Sequence, residues 1–304
     1  MLLSKKLCTQ FLIIFAAALV VSSCGSGSSS DNFAGSSTTS VIFTENLNSS
    51  LPNTWVTEYN TIKTKLLSFL PLYQTYYKGI FVYAWNADIP DPYPGVTGGK
   101  YVNDNGEDGE NMLRLVLEIG NSEFTSSDWS RYSSIVHEYF HTYQKSLNFH
   151  MSKSDSHPTS FKTKWLVEGA AAAVEGIYIK QNYGNNFIVE SKNSGISEVF
   201  TSPESYEDYA SSADDTNYSS SVFLVLVLAK ELQNLGSTET EAFRLILHDY
   251  MAASPNKLTW KTKFNETFGM TVDNFYVRVK TYVGSTNENV QPTDALKLEE
   301  IFSE

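Results

Sequence analysis

His137 and His141 stand four residues apart in the run His-Glu-Tyr-Phe-His-Thr-Tyr, and this spacing constrains the chain more than any other feature. On a helix it puts both imidazoles on one face, one turn apart. Two ring nitrogens so placed reach a single ion at about 2.0–2.1 Å. Tyr139, Phe140 and Tyr143 make the same helix mostly buried, and buried histidines beside a buried glutamate need partners. The two cysteines, Cys8 and Cys24, both fall at the N-terminal end. A metal held by the body of this chain is therefore held by histidine and carboxylate.

A catalytic zinc takes three protein donors and leaves a fourth position for water. The third donor is expected downstream, on another helix, and Trp165-Leu-Val-Glu168-Gly-Ala-Ala-Ala-Ala-Val-Glu175 supplies it. Glu168 lies among Trp, Leu, Val and a run of alanines, where an unpaired carboxylate is costly. The small residues Gly169 to Ala173 are expected to let this helix approach the histidine helix closely. Glu138, next to His137, falls beside the ion rather than on it, placed to take a proton from a zinc-bound water. Glu175 is seven residues past Glu168 and shares its helix face. It is a candidate to orient a ligand histidine, with a structural salt bridge as the alternative.

The N-terminus reads as an address. Lys5 and Lys6 precede an unbroken apolar run, Phe11 to Val21, and Val21-Ser-Ser-Cys24 closes it with small residues. This is the layout of a secretory signal peptide. Cys24 resembles the lipobox cysteine of bacterial lipoproteins, which implies lipidation there and a place in the bacterial cell envelope, facing outside the cytoplasm. The Gly/Ser-rich stretch that follows buries too little surface to order itself, so residues 25–50 are expected to be a flexible tether. A net charge of −12 excludes nucleic acid as a main partner and limits membrane contact to the anchor.

Apolar spacing predicts a helix over Leu51–Leu70, buried strands at Gly79–Trp85 and Met112–Ile119, and loops over Asp88–Gly99 and Asn103–Asn111. Helices are then expected from about Thr125 to Leu147, over Trp165–Tyr178, Asn217–Leu235, Thr238–Met251, Ser254–Phe268 and Val272–Val283. The fold class is α+β. A small strand-containing N-terminal lobe (51–125) precedes a helical lobe (126–304) that carries both motif helices, with the zinc cleft between them.

His137-Glu138-x-x-His141 followed by Trp165-Leu166-x-Glu168-Gly169-x-Ala171 resembles the gluzincin metallopeptidases. The resemblance implies His137, His141 and Glu168 as ligands to one Zn2+, with Glu138 as general base. It implies that the strand Met112–Ile119 borders the cleft and pairs with a peptide or protein substrate along its edge. It also implies a tyrosine or histidine that stabilises the oxyanion: Tyr218 first, then Tyr209 and His248. The Gly-x-Met-Glu-Asn text of the clan's aminopeptidases is absent, and Gly109-Glu110-Asn111-Met112 has the wrong order. The expected activity is thus that of an endopeptidase; the alternative is a surface lipoprotein of the same fold that binds or adheres without catalysis.

Overall fold

Neither Gly79–Asn86 (β2) nor Met112–Ile119 (β4) has a face polar enough to be wetted, and both are covered on two sides. On one side Ile80, Val82, Leu113, Leu115 and Leu117 join the main core. On the other, Trp85 and Val116 gather Tyr83, Tyr93 and Tyr101 into a smaller cluster. The computed structural model describes residues 41–105, 111–125, 129–154, 156–192, 196–209 and 216–303. The signal segment, Cys24 and residues 25–40 of the tether lie outside the described residues.

Four strands form one sheet in the order β1-β2-β4-β3. β1 (Ile42–Leu47) runs parallel to β2, and β2 parallel to β4. β3 (Lys100–Asn105) runs antiparallel to β4, with Lys100 opposite Leu117 and Val102 opposite Leu115. Three expectations are corrected here. The tether does not extend to residue 50, because β1 pairs with β2 along its whole length. Asn103–Asn105 are strand, not loop: backbone pairing to β4 outweighs their low strand propensity. And Met112–Ile119 is not an edge, since β3 covers it; the edge on that side of the sheet is β3, and β1 is the other.

Helix α1 (Asn53–Phe69) lays Trp55, Tyr59, Ile62, Leu66 and Phe69 into the core at helical spacing. After the short α2 (Asn121–Thr125), α3 (Ser130–Leu147) packs against β3, β4 and α1 on one side and α4 (Lys164–Tyr183) on the other. From Ile135 to Ser146 every residue of α3 is buried. α4 is equally enclosed, between α3 and α6 (Thr216–Asn234), with α5 (Phe187–Lys192) beside it. α7 (Glu239–Arg244) opens on a Thr238–Glu241 capping box and runs through a π-helical turn into α8 (Tyr250–Ala252). The helix expected from Ser254 begins only at Trp260: Ser254 has φ +52° and Pro255 lacks an N–H. α9 (Trp260–Phe268), α10 (Val272–Val279) and the short α11 (Asn287–Val290) and α12 (Leu298–Ile301) follow. No helix among the described residues is long and apolar enough to cross a membrane.

Two contacts fix α4, and with it Glu168. Trp165 is fully buried, stacks on Phe275 at 5.4 Å between centroids and donates its indole N–H to Tyr276 at 3.0 Å. Tyr276 in turn donates to Glu207. One turn further along, Gly169 meets α6: a Cβ built there would stand 2.2 Å from the Ser221 carbonyl oxygen and 2.9 Å from a Val225 methyl. The close approach expected of the small residues is thus made to α6 at this position. Gly169→Ala has no flexible side chain to displace and should destabilise the fold by about 1–3 kcal/mol, read from the denaturant midpoint. An unchanged midpoint would mean that α4 and α6 are not this close.

Candidate metal centre

α3 and α4 cross where each is buried, and the crossing brings the sequence-predicted donors together. His137, His141 and Glu168 are all buried and offer one ligand atom each, all within 4.8 Å of one another. Glu168 Oε2 lies 3.2 Å from His137 Nε2 and 3.3 Å from His141 Nε2. Both imidazoles therefore aim the same nitrogen at one carboxylate oxygen. These donors form a buried His-His-Glu group that can hold a metal ion.

The other nitrogen of each ring is already engaged. His137 Nδ1 lies 3.0 Å from Glu175 Oε2, so Glu175 stands where a residue orienting a ligand histidine should be. His141 Nδ1 lies 2.7 Å from Gln144 Oε1, and Gln144 Nε2 donates to the Val167 carbonyl at 3.1 Å. That second bond turns the amide so that its oxygen accepts from His141, which puts the proton on Nδ1 and leaves Nε2 as the donor to an ion. Gln144 went unread in the sequence; its position three residues past His141 on the same helix is the signal that finds it. Glu168 is held from outside, where the Tyr209 hydroxyl donates to Oε1 at 2.6 Å.

Glu138 is buried, and its Oε2 has no hydrogen-bond partner among the described residues. A buried carboxylate oxygen with no protein partner, beside a His-His-Glu group, fits a site that takes an ion and a reactant. A cavity of about 240 Å3 opens over it, with Glu138, His141 and Glu168 in its floor and Lys100, Tyr101 and Val102 of β3 along one wall. Tyr209 and Tyr218 border the same cavity. The Tyr218 ring meets His137 edge-on at 5.9 Å, and the Lys164 and Lys192 ammonium groups lie 5.7 and 5.4 Å from its centroid. His248 bonds instead to Asp249 Oδ1 at 2.7 Å and does not line this cavity.

Charge in the site follows from burial opposed by pairing. Burial lowers the His137 pKa, but hydrogen bonds to Glu168 and Glu175 outweigh it and raise the group to about 10. Burial would raise Glu168; the His141 charge and the His137 hydrogen bond prevail and hold it well below the carboxylate range. Glu175 is likewise drawn down to about 2, against burial, by the Lys192 charge and by His137. Glu138 goes the other way: burial pushes it up, more than the histidine charges pull it down.

Without an ion, His137 thus holds a proton between two carboxylates that the unfolded chain, with a histidine near 6.5, gives up. The folded pKa is the higher one, so this contribution to stability is complete below about 6.5 and is lost as pH rises through about 10. An ion must displace that proton. Metal affinity should therefore rise about tenfold per pH unit from 7 to 9, with one proton released, measured by calorimetry in buffers of different ionisation enthalpy. A flat affinity would mean that His137 is neutral before the ion arrives. Gln144→Ala and Glu175→Gln should each weaken binding by about 10–100-fold while leaving the stoichiometry at one ion per chain. Comparison with family models, with curated proteins and with solved structures returned no match.

Proposed function

We propose that this protein is a zinc-dependent peptidase that hydrolyses internal peptide bonds, and that it is a gluzincin. The observation that carries the reading is the pairing of a convergent His137-His141-Glu168 donor set with a buried Glu138, whose Oε2 has no partner among the described residues and which lines the same cavity as His141 and Glu168. Two imidazoles and one carboxylate suit zinc, and leave a position for a reactant. When bound, the ion supplies the positive charge that polarises a scissile carbonyl and acidifies a water.

The chain's own residues do the rest. Glu138, raised by burial, takes the proton released as the water adds to the carbonyl carbon. It then delivers that proton to the amide nitrogen as the C–N bond breaks. Tyr218, at the cavity border, is the candidate to donate to the oxyanion. Tyr209 has its hydroxyl on Glu168 and serves to position that ligand. β3 ends the sheet, and its residues Lys100–Val102 line the cavity, so an extended peptide can add to it as a further strand. The requirement for an extended stretch of backbone favours cleavage within a chain. The signal-like start and Cys24 support a lipid-anchored protein outside the cytoplasm, acting on peptides or proteins there.

Glu138→Gln should abolish cleavage of a casein or random-peptide substrate while zinc content by elemental analysis stays at one per chain. Cleavage at the wild-type rate would remove Glu138 from the chemistry. Zinc retained without cleavage by the wild type would favour a binding lipoprotein of this fold. Tyr218→Phe should lower kcat by about 10²–10³ with little change in KM, whereas Tyr209→Phe should act mainly on zinc affinity. The reverse pattern would exchange their roles.

A further inference from the structure

One charged side chain in the cavity has no part in the chemistry above. Lys145 sits on α3 one turn past His141, about 6 Å along the helix axis, and lines the same cavity as Glu138, His141 and Glu168. It is only 8% exposed. An ammonium has three donors, yet the one hydrogen bond it makes among the described residues is to the Met151 carbonyl at 3.2 Å. It forms no ion pair there. Burying a charge so poorly paired is costly, and a structural need to hold Met151 would be met as well by a neutral donor.

We propose that Lys145 anchors a carboxylate of the substrate beside the scissile bond, an inference that rests on the peptidase reading. Its surroundings suit this. Burial, and then the charge of Lys162 on the same cavity wall, pull the ammonium down to about 8, while Asp104 and Glu168 oppose them only in part. An incoming anion would restore the balance. Met151, Phe161 and Val167 give the cavity apolar walls that cover the methylenes of a substrate carrying that anion. The shared chemistry is a carboxylate one residue from the cleaved bond. Its two sources are an aspartate or glutamate side chain and the free C-terminus of a peptide.

The test uses the zinc-loaded protein and four matched peptides, with Glu or Gln next to the cleaved bond and with free-acid or amidated C-termini. The wild type should favour a carboxylate-bearing peptide by about 10–100-fold in kcat/KM, mostly through KM. In Lys145→Met that ratio should collapse towards one whatever the overall rate, and Lys145→Arg should restore part of it. A merely structural lysine would change rate and zinc content but keep the ratio. A ratio equal in wild type and Lys145→Met overturns the proposal. Preference for the side-chain acid assigns the subsite to an acidic residue; preference for the free terminus alone assigns it to a chain end. If no peptide is cleaved, the peptidase reading fails, and calorimetry with the same Glu and Gln peptides still decides. Tighter binding of the acid that Lys145→Met abolishes keeps the carboxylate site, and equal binding rejects it.

Discussion

Three carboxylates and two imidazoles lie buried on α3 and α4, and everything about the site depends on how they offset one another. A buried charge is tolerated only when paired. Here His137 stands between Glu168 and Glu175, and His141 between Glu168 and Gln144. Each ring is held at both nitrogens, so its orientation is set before any ion arrives. Glu138 is the exception, buried with an oxygen that no group among the described residues satisfies. A fold selected for stability alone would have filled or paired that position.

The scaffold explains why such a cluster can be held still. α3 and α4 are enclosed along most of their length, an arrangement that requires one of them to present very small side chains. α4 does so from Gly169 to Ala173, and Gly169 lets it lie against the α6 backbone. Trp165, stacked on Phe275 and bonded to Tyr276, locks the first turn of α4. Glu168, three residues on, therefore has little freedom, and Tyr209 removes more of it. The cavity is lined on another side by Lys100, Tyr101 and Val102 of β3.

A protein of net charge −12 has placed Lys100, Lys145 and Lys162 around the cavity at its metal centre. Lys100 is engaged by Glu123 at 2.9 Å. Lys145 forms no ion pair among the described residues, and that difference is what the proposed carboxylate subsite rests on. Local sign and overall sign thus diverge, and net charge is a poor guide to what this cleft selects.

What the sequence determined by itself was whatever depends on short-range spacing. His137 and His141 share a helix face because four residues make about one turn, and Glu168 and Glu175 share theirs because seven make about two. The main helices and the two inner strands were legible for the same reason, their apolar residues recurring at the period of their own backbone. Pairing across the sheet was decided only by the tertiary structure. β3 has only Tyr101 and Val102 as apolar residues beside Lys100, Asn103, Asp104 and Asn105, too short a run to signal a strand, and it forms because β4 offers it a ladder; it displaced β4 from the edge that sequence reading gave it. β1 was likewise hidden in a stretch read as tether. Nor could spacing show that Gly169 faces α6, that Gln144 turns its amide through Val167, or that Tyr209 reaches Glu168 from 41 residues away. Each of those depends on which surfaces meet, and a one-dimensional pattern does not encode that.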